Sequence, residues 1–280
     1  MGHDKLRKFA ENETFGCLVQ ASSAELLVDG YENLRDHPMK GRWRERMFPM
    51  QGPDAPLVLE LGCGKGEYTI DLAQRFPDSD FIGVDIKGAR LWKGAKHVHT
   101  HGVPNAAFLR ARIEFIKAFF APGEVSELWL TFSDPQFRSE NSRLTSPMFL
   151  ERYRSFLKEG GVVHLKTDSR FLHEYTKAVC RVNGLELLAC TDDLYSERSR
   201  AALAGKAGAE LYEVQTFYEK MFLAQGYRIT YLSFVIDHDG DYLYPRRPED
   251  FDPDYWRSVE GPRLLFGRDS AETRRQKMKG

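Results

Sequence analysis

The chain is 280 residues long, with 42% hydrophobic and 12% aromatic residues, enough for one large domain with appendages around a sizeable core. A formal net charge of −1 argues against a general polyanion binder and leaves room for a local basic face. No apolar run reaches the ~18 residues of a membrane span, the charged start (Asp4, Lys5, Arg7, Lys8) leads into no signal-peptide core, and Cys17, Cys63, Cys180 and Cys190 form no CxxC pair. Neither a membrane protein nor a secreted disulfide scaffold nor a structural zinc site is supported. A cytoplasmic protein with reduced thiols is expected.

In chain order, residues 1 to 56 read as a charged arm, with Arg35, Lys40, Arg42, Arg44 and Arg46 around Trp43 ahead of Pro49, Pro53 and Pro56. From Leu57, strands (57 to 62, 80 to 85, 106 to 110, 125 to 132, 161 to 166) alternate with helices (66 to 75, 88 to 101, a short one before 125, 146 to 158, 170 to 182). That alternation predicts an α/β fold with a parallel sheet covered on both faces. An edge strand is expected over 184 to 190, a mobile stretch over 191 to 208, a helix over 210 to 225 and a last, antiparallel strand over 227 to 235. The sheet is therefore seven-stranded and mixed, in a domain over 57 to 236. Residues 237 to 280, with Asp-Gly, Pro-Arg-Arg-Pro and Asp-Pro steps and a basic end (Arg274, Arg275, Lys277, Lys279), read as a largely irregular extension.

The most informative stretch is Val58-Leu59-Glu60-Leu61-Gly62-Cys63-Gly64-Lys65-Gly66-Glu67, with Asp85 closing Phe81-Ile82-Gly83-Val84-Asp85. Strand, glycine turn, helix is a setting for close approach to a nucleotide. A dinucleotide fingerprint needs G-x-G-x-x-G, whereas here Gly62, Gly64 and Gly66 are evenly spaced and Glu60 would repel a pyrophosphate. S-adenosylmethionine, with a sulfonium and an α-ammonium group, suits Glu60, and Asp85 can accept both ribose hydroxyls. The competing reading is a Gly-rich turn beside a surface glutamate.

A second constellation, Leu130-Thr131-Phe132-Ser133-Asp134-Pro135-Gln136-Phe137-Arg138, ends the fourth predicted strand, where ligands of open α/β sheets bind. Asp134 is expected to face the cofactor's methyl group, and Arg138 and Arg143 to reach a phosphate or a purine face. Taken alone, Asp-Pro could equally begin a plain loop. Asp168 could be a helix N-cap before Ser169-Arg-Phe-Leu. Thr216 and Glu219 share one face of a predicted helix whose Phe217, Met221 and Phe222 could also be core. His97, His99 and His101 alternate on a helix, a period that brings no metal ligands together, and Lys87, Arg90, Lys93 and Lys96 form a solvated face that could also meet RNA backbone.

Over 57 to 234 these residues resemble the bacterial tRNA (guanine-N7)-methyltransferases of the TrmB family. The resemblance is carried by Glu60-Leu-Gly-Cys-Gly-Lys-Gly66, Asp85, Phe132-Ser-Asp-Pro135, Arg143-Leu-Thr145, His164-Leu-Lys-Thr-Asp168 and Thr216-Phe-Tyr-Glu219, with Phe222 and Gly226. It implies a Rossmann-like methyltransferase fold that binds S-adenosylmethionine through Glu60, Gly62, Gly64, Asp85, Arg112, Ile113 and Asp134. It implies that Asp134 acts in catalysis and that Arg138, Asp168, Thr216, Phe217, Tyr218 and Glu219 hold the guanosine. The substrate implied is tRNA, at position 46 of the variable loop; the residues themselves call for no metal and no membrane and leave monomer and homodimer both open. Two departures stand out. Gln136-Phe137-Arg138-Ser139-Glu140-Asn141 replaces the family's basic Pro-Trp-Pro-Lys-Lys-Arg-His run, so cations of the arm or tail are expected to hold phosphate instead. Arg112-Ile113 replaces an acid followed by alanine, so adenine recognition there is expected to rest on backbone groups. The alternatives are a methyltransferase acting on a small molecule or protein, and a non-catalytic RNA-binding partner.

Overall fold

A computed structural model of the chain describes residues 3–30, 33–52, 54–205 and 208–260. Its principal elements, in chain order, are α1 (His3–Asn12), β1 (Leu18–Gln20), β2 (Leu57–Leu61), α2 (Glu67–Arg75), β3 (Asp80–Asp85), α3 (Gly88–His101), β4 (Ala106–Arg110) and β5 (Val125–Thr131). There follow α4 (Pro147–Arg154), β6 (Leu157–Thr167), α5 (Arg170–Val182), β7 (Leu187–Thr191), α6 (Glu197–Leu203), α7 (Phe217–Ala224), β8 (Thr230–Val235) and α8 (Pro253–Glu260). The main sheet has the order β1-β4-β3-β2-β5-β6-β8-β7. It is mixed, as expected, but holds eight strands and not seven. The eighth is β1, parallel to β4 with Leu18 opposite Phe108, and it comes from the segment read as an arm. Three residues are too short for any periodicity to announce.

The chain divides into two compact units, one formed by described residues of Met1–Thr131 with Arg152–Gly161, the other by Phe132–Glu151 with the described residues of Val162–Gly280. In the first unit all five residues of β2 are buried, which a parallel strand covered on both faces requires. The chain proceeds from β2 to β3 and β4 on one side, then crosses back so that β5 pairs with the other edge of β2. That reversal leaves a crevice at the carboxyl ends of β2 and β5, and the glycine loop lies there. The arm is more than solvent-facing charge. Phe15, Trp43 and Phe48 are buried, and the indole of Trp43 stacks on Phe120 and donates to the Phe119 carbonyl at 2.8 Å. Burying such an aromatic contributes on the order of 2 to 3 kcal/mol.

In the second unit β8 runs antiparallel to both β6 and β7, as the sequence predicts for the last strand. The stretch expected to be mobile, 191 to 208, contains α6, which Ser196 caps by accepting from the Ser199 amide. The helix expected over 210 to 225 is broken. A single turn at Glu210–Glu213 stops, and Thr216 starts α7 as a new N-cap. The extension after Asp237 is not wholly irregular either, since it forms a short 3-10 turn at Pro248–Asp250 and α8. Its last basic residues, Arg274, Arg275, Lys277 and Lys279, lie outside the described residues. Among the described residues no helix is long and apolar enough to cross a membrane.

Candidate functional site

In the first unit the glycine loop is shaped by three left-handed residues, Gly62 (φ 82°), Gly64 (φ 59°) and Gly66 (φ 73°). Gly66 is required twice over, because a Cβ there would meet the Phe108 ring at 2.3 Å. At Gly62 and Gly64 an added Cβ would meet nothing within 4 Å, so the loop presents bare backbone to open space. The amides of Gly62 and Cys63 both donate to the Val84 carbonyl, and the Gly64 amide donates to Asp85 Oδ2 at 3.0 Å. Asp85 Oδ1 accepts the Lys87 amide at 2.7 Å. One carboxylate oxygen thus holds the glycine loop and the other the start of α3, each with one lone pair, and each keeps another for a ligand hydroxyl.

Glu60 is buried beneath this loop. Its Oε2 accepts from the Thr69 amide at 2.9 Å and the Thr69 hydroxyl at 2.5 Å, and its Oε1 accepts from the Thr131 hydroxyl. Burial pushes its pKa from 4.5 up to about 7, against the lowering effect of those hydrogen bonds, and the charge of Asp85 adds to the rise. A carboxyl group desolvated to this degree is a strong attractor for a nearby cation. It is no surface glutamate, in contrast to the competing reading of the sequence. The pair Thr69 and Thr131 was not singled out in the sequence. Thr69 lies three residues beyond Gly66, inside the first turn of α2, and that spacing from a strand-end acid was the available signal.

A cavity of about 420 Å³ is lined by Ile86, the residue that follows Asp85, with Ala111, Arg112 and Phe115, and by residues of the amino-terminal segment that include Glu13 and Glu25; the glycine loop itself does not line it. Arg112 also pairs with Glu114 at 3.1 Å, and Ile113 is not among the residues lining the cavity. Bare backbone, an aspartate with lone pairs to spare and a buried acid are groups that suit a cationic nucleoside.

In the second unit Asp134 is exposed on the turn that follows β5, and its Oδ1 accepts the Gln136 amide at 3.0 Å. The residues on either side of Ser133-Asp134-Pro135 are left-handed without being glycine, Phe132 at φ 51° and Gln136 at φ 49°. Such conformations persist only where the surroundings enforce them, and they cluster at functional sites. Here Phe132 is tied to β6 through its amide, which donates to the Lys166 carbonyl at 2.9 Å. Arg143, expected to reach a ligand, is instead 6% exposed and packs over the Phe171 and Tyr175 rings while donating to the carbonyls of Gln136 and Phe137. It buttresses the turn. The extension adds to this, since Arg246 pairs with Glu140 at 2.5 Å and Tyr244 donates to Asn141 at 2.8 Å. Arg138 is exposed on the same loop.

Asp168 does not cap α5. Ser169 does, its hydroxyl accepting the Leu172 amide at 3.0 Å, so the N-cap reading of Asp168 is overturned and its carboxylate lies just outside the helix start. Thr216 caps α7, with Phe217 and Tyr218 exposed by 57% and 46%. Glu219 points inward, where it forms an ion pair with Lys166 at 2.8 Å, both side chains fully buried, and accepts from the Tyr195 hydroxyl at 2.6 Å. The Lys166 ammonium also donates to the carbonyls of Leu211 and Val214. Burial lowers its pKa from the ordinary lysine value, opposed by Glu219. Lys166 was not predicted as a site residue, although a lysine inside an apolar strand run is itself a signal that a buried partner must exist.

Of the arm cations expected to hold phosphate, Arg44 is committed to the carbonyls of Ala55 and Glu124, and Arg42 pairs with Glu45. The rings of His97 and His101, four residues apart, stack at 4.1 Å, while His99 lies against Phe15. The described residues hold no group of three or more His, Cys, Asp or Glu side chains that could bind a metal ion.

Residues 54–230 match a family model described as "Putative methyltransferase". The chain is 46% identical to a tRNA (guanine-N(7)-)-methyltransferase of Christiangramia forsetii, over 83% of this chain and 98% of that protein. It is 44% identical to a tRNA (guanine-N(7)-)-methyltransferase of Bacteroides thetaiotaomicron, over 90% of this chain and 94% of that protein. Among solved structures, the 16S rRNA methyltransferase KamB shares the fold with a TM-score of 0.51 at 16% identity, covering 72% of this chain and 95% of that one. The eight-stranded α/β domain is thus a Rossmann-like methyltransferase fold, and the chain belongs to the same methyltransferase family as these bacterial relatives.

Proposed function

We propose that the protein transfers a methyl group from S-adenosylmethionine to N7 of a guanosine in tRNA, at position 46 of the variable loop, in the cytoplasm. What supports the substrate most is similarity along nearly the whole length of relatives named for this activity. The cofactor reading rests on the loop, where Gly62 and Gly64 offer backbone, Asp85 accepts the ribose hydroxyls, and Glu60 attracts the α-ammonium group by charge from beneath. Bound there, S-adenosylmethionine supplies an electrophilic methyl group on a sulfonium. N7 carries a free in-plane lone pair, so the protein needs no general base; it has to align the base and stabilise charge that develops on the purine. Asp134 does this as an ionised carboxylate accepting the guanine N1 and N2 hydrogens, a charge-assisted pair that strengthens as the ring becomes cationic. Asp168, Arg138 and the exposed Phe217 and Tyr218 orient the nucleoside, within a catalytic domain over residues 57 to 236. Methyl transfer to unmodified tRNA, against no transfer to the same tRNA lacking the target guanine, tests the whole reading; equal labelling of both would refute it.

Two consequences follow for the cofactor half. Asp85→Asn should weaken S-adenosylmethionine binding by on the order of 1.5 to 3 kcal/mol with the fold retained, because one charge-assisted acceptor is lost. Calorimetry reads this directly, and unchanged affinity would assign the loop to another ligand.

Glu60 sets a pH dependence. Its folded-state pKa is raised, from 4.5 to about 7, so the ligand-free protein keeps a proton that the unfolded chain has lost, and the contribution of Glu60 to stability is fully present below pH 4.5 and is lost as pH rises through about 7. A bound ammonium group favours the ionised carboxyl. Cofactor affinity should therefore climb with pH below 7, approaching about tenfold per unit, and flatten above it, with proton release on binding. In Glu60→Gln the slope should vanish. A wild-type profile flat from pH 5.5 to 7.5 would be incompatible with this role.

A further inference from the structure

The sequence places the whole cofactor site within 57 to 234, but the cavity lined by Ile86, the residue after Asp85, draws part of its lining from far upstream. Besides Ile86, Ala111, Arg112 and Phe115, the residues around it include Gln20, Ala21, Ser22 and Ser23. These four lie at the end of β1 and just beyond it, outside the 54–230 match to the family model.

We infer that the segment following β1 forms a wall of the adenine end of the cofactor site, making the amino-terminal strand part of the binding machinery. The inference rests on the cofactor reading given above. Three observations carry it. First, Ile86 follows the ribose acid Asp85 directly and is 51% exposed within this cavity. A large aliphatic side chain left bare beside a diol acceptor is suited to cover by one face of a flat base. Second, the segment supplies polar groups suited to a base edge, the Ser23 hydroxyl and the Ser22 hydroxyl, whose oxygen accepts the Glu25 amide at 3.3 Å and whose proton remains to donate, next to the apolar Ile86, Ala111 and Phe115 and the charged Glu13, Glu25 and Arg110.

Third, the wall is built in and not merely nearby. Gln20 is in register with Arg110, the Ala21 amide donates to the Arg110 carbonyl at 3.2 Å, and Arg110 Nη1 donates to Gln20 Oε1 at 3.1 Å. Gln20 donates in turn to Glu13 at 2.8 Å. The 1% exposed Asn12 donates to the Gly88 carbonyl at 3.0 Å, which ties the end of α1 to the first turn of α3, three residues after Asp85. Gly88 has to be glycine for this, since a Cβ would meet Phe9 at 2.8 Å and Arg110 Nε at 2.9 Å. Adenine recognition then has side chains available from the amino-terminal segment, and the Arg112-Ile113 departure need not leave it to backbone groups alone.

The test is calorimetric binding of S-adenosylhomocysteine to the full chain carrying Ala21→Trp, which fills the cavity while keeping the Ala21 amide bond to β4. The dissociation constant should rise at least about tenfold with the melting temperature of the ligand-free protein unchanged. Wild-type affinity in Ala21→Trp, alongside lost affinity in Asp85→Asn, would overturn the wall and leave the cofactor reading standing. Wild-type affinity in both would overturn the cofactor reading and the wall with it. Should Ala21→Trp fold poorly, photolabelling of the wild-type protein with an 8-azidoadenine analogue of S-adenosylhomocysteine decides instead. Label within residues 20 to 25 supports the wall, and label confined to other residues rejects it.

Discussion

Asp134→Asn is expected to slow single-turnover methyl transfer by on the order of 10² to 10³ while cofactor affinity stays near wild type. The substitution is nearly isosteric, and asparagine retains an oxygen that can accept the Gln136 amide, so the turn should survive. What disappears is the negative charge, together with one acceptor for the guanine N1 and N2 hydrogens, and in its place comes an amide that presents donors to donors. The loss is greatest when the purine carries most positive charge, which places it in the rate and not in ground-state binding. The left-handed Phe132 and Gln136 make the same point from the backbone, because holding two non-glycine residues there costs about 1 to 3 kcal/mol each. Arg143 and the Phe132 amide bond to β6 maintain that strained turn, and so fix where the carboxylate is presented. A variant with wild-type single-turnover rate would remove Asp134 from the chemistry.

How much of this was legible in the sequence depends on the range over which each feature is encoded. Strands β3 and β4 and helices α3 and α5 fall on the predicted residues, because each pairs a clear apolar period with a local stop signal such as Gly102 or Asn183. The glycine loop and its two acids were legible for the same reason, their chemistry being contained in a few adjacent positions. What was not legible is long-range. Nothing local marks Leu18–Gln20 as a strand; it is one because Phe108 and its neighbours offer an unpaired edge. Arg143 looked like a ligand-binding cation because aromatic partners more than 25 residues away, Phe171 and Tyr175, cannot be seen in its own segment. The break at Thr216 has a local signal, since Gln215 and Thr216 interrupt a run whose hydrophobic period is otherwise helical, and a threonine three residues before a glutamate is a capping pattern. Pro and Gly content after Asp237 says where the chain turns but not that Tyr244 and Arg246 meet Asn141 and Glu140 on the loop after Asp134.

The same blindness to distant partners governs Glu219, and it leads to the largest stability effect expected for this chain. Lys166→Met should destabilise the protein by about 3 to 5 kcal/mol, because the Glu219 carboxylate would be left buried without its cation. The carbonyls of Leu211 and Val214 would lose their donor at the same time, which loosens the segment leading into α7. Replacing both members by apolar residues, Lys166→Met with Glu219→Leu, should recover much of the loss, since the desolvation cost of the pair disappears together with its attraction. Chemical denaturation of the two variants and the wild type measures both effects. Family resemblance gives Glu219 to the guanosine, whereas its place in this fold is that of an internal anchor, with Thr216 capping the helix and Phe217 and Tyr218 facing outward. The double variant separates these roles. If Glu219 acts as an anchor, restored stability should bring back most tRNA affinity and turnover; a stable double variant that no longer binds tRNA would mean that the carboxylate itself leaves its lysine to meet the substrate.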